Sequence, residues 1–202
     1  MSSFKLLAAA SAAASLALAI PPAHAQEKDA KAPAASKKAA GQLAKDDLQS
    51  FRKMAQADLA EVATGKVAAE KAQSPEVKKY AQHMVDEHSK MLEEGKKLAQ
   101  AKGVTPPSQP EKKHQAALQK LQKASGGDFD RQYIQQMVRD HQEVLKVAEK
   151  AAKDAKDPQL KEHAEKGVPH IKEHLAQARK ISESLGAGAG GTSRKSTPKG
   201  KN

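Results

Sequence analysis

The chain of 202 residues has no cysteine and no tryptophan, and only two tyrosines and three phenylalanines. Without cysteine there is no disulfide, no thiolate ligand and no lipid-modified cysteine, so a fold must be held by its core alone. Aromatic residues at 2% are too few to line a nucleic-acid groove with stacking platforms, and no nucleic-acid partner is expected. Beyond residue 20 no stretch is apolar for long enough to cross a bilayer as a helix.

What is present reads as helix. Alanine, leucine, lysine, glutamate and glutamine dominate, and they combine high helical propensity with small or flexible side chains that let helices approach closely. At the N-terminus Lys5, the apolar run Leu6 to Ile20 and then Pro21-Pro22-Ala23-His24-Ala25 have the three regions of a secretory signal peptide with an A-x-A cleavage site. Residues 1–25 are therefore expected to direct export, to the periplasm in a Gram-negative cell. The run of about 15 residues is short for a membrane span, so no transmembrane segment is expected after cleavage; retention as an anchor is the alternative.

The net charge of +11 is unevenly placed. Lys5 supplies +1, residues 26–45 supply +3 (five lysines less Glu27 and Asp29), and residues 186–202 supply +4 (Arg194, Lys195, Lys199 and Lys201), which leaves +3 for residues 46–185. Basicity thus belongs to the flanks. The Ala/Lys/Pro-rich linker 26–45 and the Gly-rich tail 186–202 lack the apolar residues to build a core and are expected to be disordered, with weak contact to anionic lipid or cell-wall polymer as the partner they suit.

Between the flanks, four segments carry helical periodicity. The first spans about Asp46 to Gln73. The second opens with Ser74-Pro75-Glu76, a cap followed by a proline suited to a first turn, and ends near Lys102-Gly103. The third runs from a cap at Asp128 to about Ala155, and the fourth from Asp157-Pro158-Gln159 to Leu185-Gly186. Tight links join one to two and three to four, whereas a long link with a short helix near 111–124 joins two to three. That pattern predicts an all-α, ferritin-like four-helix bundle over 46–185, two antiparallel hairpins joined by a long crossover with a short extra helix. Ser74-Pro75-Glu76-Val77-Lys78 is echoed by Asp157-Pro158-Gln159-Leu160-Lys161, an offset of one hairpin, which points to an internal duplication.

The apolar stripes are interrupted by histidine. QHMVDEH at 82–88 and QQMVRDH at 135–141 place His88 and His141 where the period asks for an apolar residue, and His174 falls in register on the fourth helix. Counted from Asp46, Pro75, Asp128 and Pro158, Glu61, His88, His141 and His174 lie 15, 13, 13 and 16 residues in. All four are near the midpoints of their helices, and at about 1.5 Å per residue they share one level of the core. A lone core histidine is more often a satisfied structural residue than a ligand. Three at one level with a carboxylate can satisfy one another or share a cation, and bundle cores build metal sites in this way.

Glu61, His88, His141 and His174 are accordingly the candidate metal ligands, with His170, one turn before His174, as an additional candidate. Pro169 is expected to kink the fourth helix and Gly65 to leave room beside Glu61. Asp58 lies nearer the centre of the first helix's apolar face than Glu61, and His83, His114 and His163 look peripheral. The sole E-x-x-H is Glu111 to His114 in the crossover, so the carboxylate-bridged di-iron pattern is missing. A histidine-rich site suits one ion of Fe, Mn, Zn, Cu or Ni. The sequence names no reaction and no substrate pocket. The alternative is a non-enzymatic structural or partner-binding protein whose histidines form a polar layer in the core.

LAEVATGKVAAEKAQSPEVKKYAQHMVDEH, FDRQYIQQMVRDH and DPQLKEHAEKGVPHIKEHLAQA, in that order, resemble the domain of unknown function 4142, an exported bacterial family of the ferritin-like superfamily. The resemblance covers about residues 46–181. It implies a ferritin-like bundle and places Glu61, His88, Phe129, Asp130, Tyr133, His141, Pro169 and His174 on the family's pattern, with Glu87 where the family usually has Asp. The family has no settled activity; a role in metal or oxidative and envelope stress handling is the expectation that goes with a metal site in the core.

Overall fold

Five helices make up the computed structural model, which describes residues 41–189: α1 (Lys45–Lys71), α2 (Pro75–Ala101), α3 (Lys112–Lys123), α4 (Gly126–Asp154) and α5 (Pro158–Ala189). Among the described residues there is no strand. The expected signal peptide, residues 26–40 of the linker and residues 190–202 of the basic tail lie outside the described residues; at the linker's end Leu43 is buried in the core and Lys45 opens α1, so the bundle begins earlier than Asp46. Helix α5 runs on past Gly186 to Ala189, so its end falls later than the glycine suggested.

Local chemistry sets the boundaries. Ser74 caps α2 by accepting from the Val77 amide, and Asp157 caps α5 by accepting from the amides of Gln159 and Leu160 at 3.0 and 3.1 Å. Each cap is followed by proline at a position whose missing amide hydrogen costs nothing. After α2, Gly103 takes φ +62°, a conformation that a side chain disfavours. Asp128 does not cap α4; Ser125 occupies the N-cap position, and Asp128 sits in the first turn, where it pairs with Arg131. Helix α5 continues through Pro169 without interruption, the ring lying on its exposed side.

The helices pack as two hairpins, α1 with α2 and α4 with α5, closed into a ring by α1 against α4 and α2 against α5. Crossover helix α3 lies against α1 and α4. It is tied to α1 by Gln56, which donates to Gln109 O and accepts from the Glu111 amide, and by Lys71, which donates to the carbonyls of Gln122 and Ala124. Gly65 serves a different end from the one the sequence suggests. A Cβ there would stand 2.9 Å from Val85 Cγ2 and 3.1 Å from Ala81 O, so the glycine lets α2 approach α1 rather than making space for Glu61.

Both ends of the bundle carry the same clasp. Buried Asp130 of α4 accepts from the amides of Gln73 and Ser74 in the α1–α2 turn, at 3.1 and 2.8 Å. Buried Asp47 of α1 accepts from the amides of Lys156 and Asp157 in the α4–α5 turn, the closest at 2.8 Å. All three residues of the second clasp differ by 83 positions from their counterparts in the first, so the short repeat in the sequence corresponds to a repeat in space.

The apolar core is in two pieces. Toward the α1–α2 turn lie Tyr80, Met84, Phe129, Tyr133, Ile134 and Met137; toward the α4–α5 turn lie Phe51, Met54, Leu98, Val144, Leu160 and Ile171. Burying each such side chain contributes about 1.5–3 kcal/mol. Between the two pieces the core is polar.

Candidate metal centre

The polar layer is built by four helices. Helix α1 presents Asp58 and Glu61, one turn apart on its inner face, while α2, α4 and α5 each present one histidine at the level where their apolar stripes are interrupted. The three imidazoles form a nearly equilateral triangle, with ring centroids 5.6 Å apart for His88 and His141, 5.2 Å for His88 and His174, and 5.4 Å for His141 and His174. One nitrogen from each lies within 4.8 Å of the other two, and Asp58, Glu61 and His88 form a second such group. His141 is 0% exposed, and Glu61, His88 and His174 are 1% exposed.

Hydrogen bonding fixes which atoms are free. His88 Nδ1 meets Asp58 Oδ1 at 2.8 Å, and His141 Nδ1 donates to the Met137 carbonyl, four residues back, at 2.9 Å. The opposite nitrogen of each ring is left for something else. Glu61 stands between the two rings, Oε2 at 3.0 Å from His88 Nδ1 and Oε1 at 3.1 Å from His141 Nδ1, but neither oxygen is aligned to accept a hydrogen bond. Six buried side-chain atoms lack a partner among the described residues: both Glu61 oxygens, His88 Nε2, His141 Nε2, His174 Nδ1 and the Tyr133 hydroxyl. Five of them belong to the cluster, and the sixth feels the Glu61 charge. An unsatisfied buried polar group costs about 1–3 kcal/mol; Glu61 is offset by its charge contacts with the two rings, which leaves the three ring nitrogens as the atoms of the cluster with capacity for a further partner.

Protonation follows from the same neighbours. Burial pushes Glu61 up, but the imidazoles of His141 and His88 outweigh it and hold the carboxyl at about 2. For His88 burial favours the neutral ring, yet the Glu61 charge and the Asp58 bond prevail and raise it to about 10. His174 falls to about 3 through burial and the nearby His88 and His141. Burial likewise lowers His141, against the pull of Glu61. Asp58 rises because burial exceeds the help of His88. At neutral pH the centre therefore holds one imidazolium, His88, against the Glu61 carboxylate, while His141 and His174 are neutral and have lone pairs to offer.

The structure brings Glu61, His88, His141 and His174 together. His170 is not brought in: half its side chain is exposed and its Nδ1 lies 3.5 Å from Glu87 Oε2, outside the triangle, because the α5 face that carries it opens onto a surface cavity. Glu143 points to solvent beside Lys113, and His114 stays with α3 next to Glu111. His83, expected to be peripheral, stands edge-on to His174 with ring centroids 5.2 Å apart. Two groups were under-read in the sequence. Asp58 is the partner of His88 Nδ1, and its position three residues before Glu61 on the inner face was the available signal. Tyr133, pointed to by the resemblance alone, has no spacing that would show its hydroxyl unpaired beside the cluster.

Fold and site together define a ferritin-like four-helix bundle with a buried cluster of three histidines and two carboxylates at its waist. Residues 32–181 match the family described as Domain of unknown function (DUF4142), and the chain belongs to that family. Its structure is similar to the crystal structure of a DUF305 fragment from Deinococcus radiodurans, with a TM-score of 0.63 and 16% identity over 72% of this chain and 99% of that one. It is also similar to CopM in the Cu(II)-bound form (TM-score 0.59, 21% identity) and in the Cu(I)-bound form (TM-score 0.58, 20% identity), each over 68% of this chain and 96% of that one. At these identities the likeness is one of fold. No curated protein matches the sequence.

Proposed function

We propose that this chain is an exported protein that binds one transition metal ion at the waist of its bundle and serves metal or oxidative stress handling. One observation carries the reading: three buried histidines, each with an unpartnered ring nitrogen, offer nitrogens within 4.8 Å of one another, and the Glu61 carboxylate stands against two of the rings. His88, His141 and His174 would supply nitrogen and Glu61 oxygen. Asp58 bonded to His88 Nδ1 is the outer carboxylate that commonly fixes a ligating imidazole. Fe, Mn, Zn, Cu and Ni all suit such donors, and copper, bound in both CopM structures, is the first to test. A bound ion of this kind supplies Lewis-acid or redox chemistry. Export to the periplasm rests on the signal-like residues 1–25.

The test is elemental analysis of the refolded chain together with thermal melting across a series of these metals. About one ion per chain and a melting temperature that climbs with metal concentration are expected, both lost in the double variant His88→Ala/His141→Ala. Absence of binding for all five metals would overturn the reading. It would favour a structural polar layer, for which the bond between His88 and Asp58 beside Glu61 is the supporting observation.

A further inference from the structure

The 83-residue offset that relates the two clasps also relates the two sides of the waist. On it Met137 corresponds to Met54, His141 to Asp58, His174 to Met91, and Gly167 to Met84. Met84 is 0% exposed and, with Met137 and Tyr133, fills the core on one side of the cluster. At its counterpart Gly167 nothing lies within 4 Å of a Cβ built on the backbone. On that side there is instead a cavity of about 670 Å³. Its rim includes Lys166 and His170, whose side chains are 68% and 51% exposed, and its floor includes Asp58 and His88. Of the site's groups Asp58 keeps 12% of its side chain exposed, against 1% or less for Glu61, His88 and His141.

We infer that this cavity between α2 and α5 is the route by which the metal ion exchanges with solvent, and that it ends on Asp58 and the more deeply buried His88. The inference rests on the metal reading above. Donors are spaced along the route: Glu87 and His170 at the rim, the thioethers of Met54 and Met91 on the walls, and the Asp58 carboxylate beside His88. A cation shedding its water therefore meets oxygen, nitrogen or sulfur at each stage. On the opposite side, the buried Met84, Met137 and Tyr133 offer no passage. The volume holds on the order of 20 waters at about 30 Å³ each, ample for a hydrated ion.

Gly167 supplies the test, because it lines the cavity and touches none of the ligands. Gly167→Met restores the side chain that the other half carries and closes the route; Gly167→Ala stiffens the helix equally but leaves the cavity open. The full chain is loaded with Cu(II), and extraction by excess EDTA and reloading are followed by stopped-flow absorbance, with equilibrium affinity measured by chelator competition. In Gly167→Met both rates should fall at least tenfold with affinity held within about twofold, while Gly167→Ala exchanges at the wild-type rate. Wild-type rates in Gly167→Met, or equal slowing in both variants, would overturn the route while leaving the metal site intact. A wild-type chain that binds no Cu(II), Zn(II), Ni(II), Mn(II) or Fe(II) would sink both proposals together.

Discussion

The two pieces of the apolar core differ in content although their scaffolding matches. Toward the α1–α2 turn, Tyr80, Phe129 and Tyr133 with Met84 and Met137 fill the space and are almost completely buried. Toward the α4–α5 turn, Val144, Ala148, Ala164 and Gly167 leave a cavity that opens to solvent. The turn clasps repeat between the halves, while the side chains at equivalent core positions differ. The histidine cluster stands at the border, insulated on one side and approachable on the other. A repeated framework positions the site, and departures from the repeat make it.

The sharpest way to break this comparison is to exchange roles at equivalent positions. Asp58 and His141 correspond across the offset, but the metal reading makes His141 a ligand and Asp58 an orienting partner of His88. His141→Ala should therefore weaken metal affinity by more than about 100-fold, and Asp58→Asn by about 10–100-fold, both by chelator competition. Equal losses would erase the distinction.

A second effect, nearly as large, comes from the proton on His88. Its value near 10 in the folded chain lies above the ordinary 6.5, so its contribution to stability is whole below 6.5 and disappears as pH rises through 10. Glu61 behaves oppositely: its contribution is present above the ordinary 4.5 and vanishes as pH falls through about 2. A metal that takes His88 Nε2 as a neutral ligand must displace that proton. Affinity should then rise about tenfold per pH unit from 7 to 9, with release of one proton per ion measurable in weakly buffered titration. A flat profile would mean that His88 is neutral before binding.

The smallest effect tests the likeness rather than the difference. Asp47→Ala and Asp130→Ala each strip the acceptor from backbone amides in a turn and should each cost about 2–3 kcal/mol in urea unfolding, with metal affinity unchanged. If the two costs differ by more than about 1 kcal/mol, the clasps are not equivalent.

The starts of α2 and α5 and the bundle's connectivity were legible in the sequence because Ser74-Pro75 and Asp157-Pro158 write their start signals locally, whereas the start of α4 and the end of α5 were not. The common level of Glu61, His88, His141 and His174 was legible too, since midpoints of similar rods coincide whichever way each one runs. The clasps were not: Asp47 and Asp130 act on amides more than 50 residues away in sequence, and nothing near them announces the partner. Gly65 was misread because a glycine that admits a neighbouring helix and one that makes a hollow look alike in a single chain. His170 was placed with His174 by spacing of one turn, but a turn on α5 separates the core from the rim of a cavity that no linear pattern reveals.

The ties from Gln56 and Lys71 to the crossover hold α1 from outside as well as from within. Local opening of the bundle will then begin at the seam between α2 and α5, leaving the carboxylate-bearing helix as the last to breathe. In native-state hydrogen exchange its central amides, around Ala60 and Val62, belong among those protected longest.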